Sequence, residues 1–378
     1  MTTYSQPPAR RHPSRPLPPR LGPWRRARRI VTITLCLCVV PVVVSYATTL
    51  AGPSNSSFAI RTIEWFRDHG AAQIATQIES IYYSMTAPAT GGPALGRLPL
   101  SSRARAVEHP RDIAPVITPA LPGEGVWVPS ETWSGSSPPV QFAQFRSDPN
   151  YPRLVAGVAW IDPRRTVIAL YPGRLEPSVA IPRGPMEVPA APRRRLLATF
   201  NSGFKLADSG GGFALAGRTY APMRPGMATL VKYDDGRIDI QAWRGGPQVP
   251  AGVDFARQNL PLIVESGRPN PNLSDGPEWG ATLGNAIRVW RSGLGIDRAG
   301  DLIYAAANDQ TVGSLAAILI RAGAVRAMEL DINSYWVTFN MYGEPGAGKP
   351  LTLLPSMSRP VTRYLTPDDR DFFAVSLL

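Results

Sequence analysis

The chain has 378 residues, of which 44% are hydrophobic and 18% are charged. This composition supplies enough apolar side chains for a folded core and excludes a protein that is disordered throughout. The net charge is +12, but eight arginines and no acidic residue lie within the first 29 residues. Because the excess positive charge is largely confined to that tail, we expect no nucleic-acid partner.

The two cysteines, Cys36 and Cys38, lie in an apolar run, and neither Cys nor His occurs from residue 121 onward. A disulfide framework is therefore excluded. For residues 121–378 the sequence also excludes Ser-His-Asp and Cys-His catalysis and zinc held by His or Cys. Any chemistry there must use carboxylates, Arg, Lys, Tyr, Asn or an oxygen-bound metal.

Residues 1–50 predict a membrane anchor. Residues 1–29 are rich in Pro and Arg and predict a disordered basic tail. Residues 30–50 are uncharged and mainly apolar, close to the about 20 residues that a transmembrane helix needs. Arginines before this run predict a single-pass protein of the cell membrane with a cytoplasmic N-terminus and an extracytoplasmic C-terminal domain. A cleaved signal peptide is the alternative, because Ser45–Ala47 and Thr49–Ala51 resemble cleavage sites.

Residues 51–120 predict a connection between this anchor and a folded domain. Residues 58–85 carry apolar side chains at helical spacing and predict an amphipathic helix interrupted near Gly70. Residues 86–120 are dense in Ala, Pro, Gly and Ser, which is typical of a stalk. Residues 121–378 remain as the folded domain.

Apolar runs in this domain predict strands at 155–162, 166–173, 195–200, 260–266 and 291–297. The runs 227–233 and 237–243 predict a hairpin that turns at Gly236. Residues 302–309, 311–323 and 325–333 read as strand, helix and strand, with Asp309 or Thr311 capping the helix and Gly323 ending it. Such a connection favours parallel pairing. We predict a mixed α/β fold, with helices packed on a mixed central sheet.

The strand at 325–333 carries the most informative polar residues. Because side chains alternate along a strand, Glu329, Asp331 and Asn333 are predicted to share one face. The two carboxyl groups can then lie within the separations that glycosidase acid pairs use. Asn308 and Asp309 end the preceding strand at the same predicted edge, where α/β sheets usually bind ligands. A solvated strand face or a structural pair with Arg is the alternative.

Other segments add candidates for the same edge. Asn201, Gly203 and Lys205 follow a strand and lead into the glycine run 210–212, a composition that lets backbone N–H groups approach an anion. The Arg291 guanidinium suits phosphate or carboxylate recognition, and Glu265 ends another strand. For an isolated charged residue, a surface ion pair is the usual alternative.

The order of these segments resembles the phosphodiester glycosidase family over roughly residues 195–340. By position, Asn201 and Gly203 match the first motif of that family, Arg291 and Gly295 the second, and Asp331 the third. The sequence 332–336 replaces the glycine run of the third motif. The resemblance implies a mixed α/β fold and cleavage of a sugar from a phosphodiester.

On this resemblance Arg291 would hold the phosphate, with help from Lys205, and Asp331 would act as nucleophile or base. Glu265 or Glu329 would be the second carboxylate, and Asn201, Asn308 and Asn333 would bind sugar hydroxyls, alongside Gly203 in its loop. The expected partner is a carbohydrate or sugar phosphodiester. No cofactor is required, a divalent cation on oxygen ligands stays open, and the sequence leaves the oligomeric state undefined.

Two other functions compete. Tyr335 and Trp336 favour a non-catalytic cell-surface glycan-binding domain, because aromatic rings commonly pack on sugars. A hydrolase of ordinary glycosidic bonds would fit the carboxylates but would give Arg291 less to do.

Overall fold

The computed structural model describes residues 22–70, 85, 87–100, 110–129, 133, 137–280, 286–345 and 349–378. The chain divides after Gly52 into two compact units. Most of the predicted tail at 1–29 and the second half of the predicted amphipathic helix lie outside the described residues.

The first unit contains helix α1, Pro23–Ala51. It includes the predicted apolar run at 30–50 and begins seven residues earlier. Pro23 is compatible with this start because it lies in the first helical turn, where a residue without an N–H loses no helical hydrogen bond. Its most apolar stretch has a mean hydropathy of 2.4. Among the described helices it is the one long and apolar enough to cross a membrane. A signal sequence would meet the same criterion, so α1 is a membrane anchor or a signal sequence.

The second unit contains the remaining helices and all described strands. The helices are α2 (Phe58–Asp68), α3 (Ala190–Arg193), α4 (Leu206–Ser209) and α5 (Val312–Arg321). The strands are β1 (Val128–Pro129), β2 (Val140–Arg146), β3 (Val155–Ile161), β4 (Thr166–Tyr171), β5 (Leu196–Asn201), β6 (Phe213–Leu215), β7 (Arg218–Ala221), β8 (Met227–Tyr233), β9 (Ile238–Ala242), β10 (Val253–Glu265), β11 (Arg268–Pro269), β12 (Val289–Ile296), β13 (Leu302–Gln310), β14 (Arg326–Glu329), β15 (Phe339–Met341), β16 (Leu351–Thr352) and β17 (Phe372–Leu377).

These strands form two sheets. The larger has the order β1-β2-β3-β13-β12-β14-β10-β6-β7, with β8 and β11 pairing with β10, and β9 with β8. The smaller has the order β16-β15-β5-β17-β4. The predicted mixed α/β class is confirmed. The hairpin of β8 and β9 is confirmed too, with Gly236 at a φ of 86° in its turn.

The predicted parallel pairing around α5 is wrong. Strands β13 and β14 run in the same direction, but β12 lies between them and pairs antiparallel with both. The reason is the tight turn from β12 into β13, with Gly300 at a φ of 89°, which joins these two strands as an antiparallel hairpin. Strand β14 therefore pairs with the other side of β12. Every strand pair within the described residues is antiparallel. The predicted helix limits hold, since Thr311 caps α5 and Gly323 follows its end.

The core lies on both faces of the large sheet. Between the sheets, the Phe200 ring lies 5.4 Å from that of Tyr304 and 5.1 Å from that of Phe373, measured between centroids. On the opposite face, α5 packs Leu315 and Leu319 against the sheet. Gly293 of β12 permits this approach, because a Cβ there would lie 3.0 Å from the Leu319 side chain. The second unit is therefore built in three layers, with α5 outermost.

The described part of the predicted stalk contacts the domain. Leu98 and Ile113 are buried, and the Ile113 N–H donates to the carbonyl of Gly125 at 2.9 Å. The boundary at residue 121 stays a prediction. These contacts place residues before 121 in the same compact unit as the sheets.

Phe200→Ala tests the core between the sheets. Phe200 is fully buried among aromatic rings, so its truncation should lower the free energy of unfolding by about 3–5 kcal/mol. Val167→Ala on β4, at a side chain 37% exposed, is the control and should cost less than about 1 kcal/mol. Chemical denaturation of both variants measures the difference, and equal effects would contradict this core.

Candidate functional site

The chain leaves the large sheet immediately before Asp331. Strand β14 ends at Glu329, not at Asn333 as predicted. Asp331 Oδ1 accepts a hydrogen bond from the Asn333 N–H at 3.0 Å, and Asn333 Oδ1 accepts one from the Tyr335 N–H at 2.9 Å. These successive turns at Asp and Asn replace the sheet hydrogen bonds. The predicted common strand face of Glu329, Asp331 and Asn333 is therefore absent from this structure.

Asp331 lies where three segments meet. Its side chain is buried, with 5% of the residue exposed. Asp331 Oδ2 accepts a hydrogen bond from Arg370 Nη2 at 2.8 Å, and the same nitrogen donates to the Gly203 carbonyl at 3.2 Å. The Asp331 N–H donates to the Ser202 carbonyl at 3.1 Å. The loops after β5 and β14 and the segment before β17 thus converge on one carboxylate.

Arg370 was missed by the sequence analysis. It belongs to the charged run 368–371, directly before the apolar strand β17. On either side, Asp368 pairs with Arg363 and Asp371 pairs with Arg257, each at 2.8 Å. A run of four charged residues next to a buried strand is a signal that could have identified this segment, because such charges need partners when buried.

Burial raises the pKa values of two carboxyl groups in this region, those of Asp331 and Glu329. Burial raises the pKa of Asp331 above its ordinary range, although the Arg370 guanidinium opposes the shift. Burial also raises the pKa of Glu329 from its ordinary value of 4.5 to about 7, against the opposing charge of Arg291. Carboxyl groups whose pKa values are shifted by burial and by a specific neighbouring cation are typical of functional sites.

The Arg291 guanidinium is hydrogen-bonded to three groups of the protein. Its Nη1 donates to Glu329 Oε1 at 2.5 Å and to the Trp279 carbonyl at 3.0 Å, and its Nε donates to the Gln310 carbonyl at 3.0 Å. The structure therefore joins Arg291 to Glu329, whereas the Asp331 carboxylate is held by Arg370.

Glu265 lies away from this group. It ends β10, where Val264 pairs with Ala327 near the beginning of β14, whereas Asp331 follows the end of β14. The exposed side chain borders a cleft of about 350 Å³ shared with Asp239. The structure thus places Glu265 near the beginning of β14 and Asp331 beyond its end.

Asn201 connects the two sheets. Its Oδ1 accepts hydrogen bonds from the Tyr304 hydroxyl at 2.8 Å and the Thr338 N–H at 3.0 Å. Its Nδ2 donates to Ser292 Oγ at 3.0 Å and to the Ser202 carbonyl at 2.9 Å. With both amide atoms engaged in this way, Asn201 positions the loop that contacts Asp331.

Gly203 and Lys205 continue this loop. A Cβ at Gly203 would lie 3.0 Å from the Asn259 side chain, and Asn259 in turn donates from Nδ2 to the Glu329 carbonyl at 2.7 Å. Lys205 Nζ contacts Glu64 Oε2 of α2 at 2.5 Å. The loop therefore brings a cation and a close backbone approach to the neighbourhood of Asp331.

Asn308 and Asp309 lie at the end of β13, at the edge where β14 also ends. Asn308 Nδ2 donates to Asp309 Oδ2 at 3.0 Å. Asp309 has a φ of 57°, and burial raises its pKa to about 6 against the charge of Arg288. Because Gln310 also contacts Arg291, this strand end adjoins the Arg291–Glu329 pair.

Several buried polar atoms have no hydrogen-bond partner within the described residues. Three of them belong to residues of this site: Ser202 Oγ, Arg370 Nε and Glu329 Oε2. Buried polar groups usually have partners, so such atoms next to Asp331 are suited to contact a ligand or water. Among the described residues, no three His, Cys, Asp or Glu side chains are grouped to hold a metal ion.

Comparisons with known proteins give a limited likeness of fold. No protein-family model matches the chain, and no curated protein matches its sequence. A hypothetical protein from Synechocystis matches with a TM-score of 0.40 and 15% identity, over 64% of this chain and 62% of that chain. The catalytic domain of zebrafish N-acetylglucosamine-1-phosphodiester alpha-N-acetylglucosaminidase, in a structure described as auto-inhibited by its pro-peptide, matches with a TM-score of 0.40 and 16% identity, over 66% of this chain and 87% of that chain.

Glu329→Gln tests the buried carboxyl group. A folded-state pKa raised to about 7 means that the folded protein keeps a proton that the unfolded chain has lost, so stability falls as the pH rises from 4.5 to 7. This group should account for up to about 3 kcal/mol of that fall. Denaturation between pH 4 and 8 should show a flatter dependence in Glu329→Gln. The exposed control Glu265→Gln should keep the original slope, and an unchanged slope in Glu329→Gln would refute the assignment.

Proposed function

We propose that residues 121–378 form a membrane-anchored, extracytoplasmic glycoside hydrolase domain. Its substrate would be a phosphodiester-linked cell-envelope glycan or a related sugar phosphodiester, from which it would cleave the sugar. The observation that carries this proposal is the buried Asp331 carboxylate bound by Arg370, next to the loop that carries Lys205. The proposed reaction uses no obligatory cofactor and no nucleic acid.

Two cations at the site suit a phosphodiester. Lys205 lies two residues after Gly203, whose carbonyl accepts a hydrogen bond from Arg370 Nη2 at 3.2 Å. The two cations therefore lie close together. A guanidinium presents donors that match phosphate oxygens, and Arg370 Nε has no protein partner within the described residues. A phosphomonoester leaving group needs stabilisation of its charge more than a strong proton donor. In this proposal Arg370 takes the role predicted for Arg291.

Asp331 would act as nucleophile or base at the anomeric carbon. Arg370 fixes its orientation, which is a requirement for attack on one bound atom. Glu329 would be the second carboxyl group, because Glu265 lies near the beginning of β14 and Asp331 beyond its end. Since Glu329 is fully buried and bonded to Arg291, we assign it a positioning role at the end of β14.

The glycan-binding alternative receives less support from the aromatic residues that suggested it. Trp336 is only 2% exposed, and its ring lies 5.1 Å from the Arg363 guanidinium and 5.4 Å from that of Arg370. The Tyr335 hydroxyl accepts a hydrogen bond from the Ser57 N–H at 3.1 Å. Sugar stacking requires an exposed ring face, which Trp336 does not offer in this structure.

Asp331→Asn tests the catalytic assignment. The amide keeps the shape of the carboxylate and removes its nucleophilic charge, so release of sugar from an aryl sugar phosphodiester should fall at least about 10³-fold. The assay uses the full chain in detergent micelles, and Asp235→Asn in the exposed turn after β8 is the control. Retained turnover in a folded Asp331→Asn protein would remove Asp331 from the reaction. Binding of the substrate by the wild type without release would favour the glycan-binding function.

Arg370→Lys tests the substrate class. Lysine keeps one positive charge but lacks the planar guanidinium, whose Nη2 contacts Asp331 and Gly203 and whose other donors could bind phosphate, so kcat/KM for the phosphodiester should fall about 100-fold. The loss should be smaller for an uncharged aryl glycoside of the same sugar, which presents no phosphate. Arg164→Lys, at a side chain 65% exposed, is the matched control. Equal losses for both substrates would contradict a phosphate contact by Arg370.

A further inference from the structure

Residues 53–68, here called the covering segment, lie against the candidate site. The segment comprises a short non-helical stretch followed by α2. Its stretch makes polar contacts with the charged run before β17 and with neighbouring residues: Ser54 Oγ donates to Asp369 Oδ2 at 2.6 Å, and Asn55 Nδ2 donates to the Arg363 carbonyl at 2.5 Å. Asn55 also accepts a hydrogen bond from Arg359. These are residues of the segments that surround Asp331.

The one buried side chain of α2 is charged. An amphipathic surface helix normally buries apolar side chains, but in α2 the buried residue is Glu64, and Phe58 is 67% exposed. Docking of α2 therefore includes a buried ionic contact, between Glu64 and Lys205. Its apolar side chains Ile60, Ile63, Trp65 and Phe66 are partly buried, whereas the core helix α5 buries five hydrophobic residues, so α2 can leave the domain at a lower cost than α5.

Glu64 lies among the cations of the site. Its carboxylate contacts Lys205 Nζ at 2.5 Å and Arg67 Nη1 at 2.7 Å. Burial raises the pKa of Glu64, but Lys205 and Arg67 outweigh burial and lower it, with a smaller contribution from Arg370. Burial is the main cause of the raised pKa of Asp331, and the negative charge of Glu64 adds a smaller contribution in the same direction. An internal carboxylate thus occupies the surroundings in which the proposed function places a phosphoryl group.

We propose that Glu64 is an internal competitor for anionic substrates, and that the covering segment must leave Lys205 before a phosphoryl group can bind there. This inference rests on the proposed function for the identity of the substrate. It concerns a reversible exchange, in which the anion of the substrate replaces the anion of the protein. The observed association constant for an anion then equals the intrinsic association constant multiplied by the fraction of molecules in which the segment has moved.

Inorganic phosphate is the probe, titrated calorimetrically into the full chain in detergent micelles. Glu64→Gln keeps the size and a hydrogen-bonding group but removes the competing charge, so phosphate should bind about 10-fold more tightly than to the wild type. Asp68→Asn is the matched control. Asp68 contacts the same Lys205 ammonium at 3.3 Å but is exposed, so its charge is screened and the affinity should change less than about twofold.

Hydrogen exchange of the α2 backbone provides a second readout. Exchange at residues 58–68 should be faster in Glu64→Gln, and faster in the wild type after phosphate is added. Tighter phosphate binding together with faster exchange supports the inference, even if no variant hydrolyses a sugar phosphodiester, which would contradict the proposed function alone. Equal or undetectable phosphate binding in wild type and Glu64→Gln, with unchanged exchange, overturns the inference even if the wild type is an active hydrolase.

Discussion

The pairing of buried charges in the segment before β17 determines the geometry of the site. An ionised side chain that leaves water must find an opposite charge, since an unpaired one costs several kcal/mol or changes its protonation state. Asp368 and Asp371 meet this requirement with Arg363 and Arg257. Arg370 between them meets it with Asp331. The folded chain therefore holds the Arg370 guanidinium against the Asp331 carboxylate without a ligand. Groups that are already in position before a ligand binds are what a preorganised charge-stabilising site requires.

This arrangement explains why the end of β14 and the loop after β5 lie together. Arg370 reaches the Asp331 carboxylate and the Gly203 carbonyl with the same nitrogen, and Asn201 binds groups from both sheets with one amide. Removing either side chain would leave buried polar groups without partners. The site is consequently held from two independent directions, by an ion pair and by a neutral amide.

Local patterns in the sequence predicted much of the fold but less of the site. The hairpin at Gly236 and the limits of α5 depend on residues close in sequence, so turn and capping signals were sufficient. The insertion of β12 between β13 and β14 depends on which strands pair, which no single segment specifies. Asp331 was predicted as part of a polar strand face at 325–333 and from the third motif of the family resemblance. Arg370 could not be assigned to it because their contact joins positions 39 apart, and the strand periodicity that suggested a common face ended at Glu329.

The covering segment has a further consequence for the electrostatics of the site. With Glu64 in place, Asp331 has a second carboxylate nearby, and the positive charge of Lys205 is offset by Glu64. If Glu64 leaves as proposed, the same cations would face an open site, where an anion would gain attraction that the covered state does not provide. A neutral sugar would gain nothing from that exchange, because it could not replace the lost charge of Glu64. The covering segment would therefore discriminate by charge, and the interaction that closes the site would also select which molecules can open it.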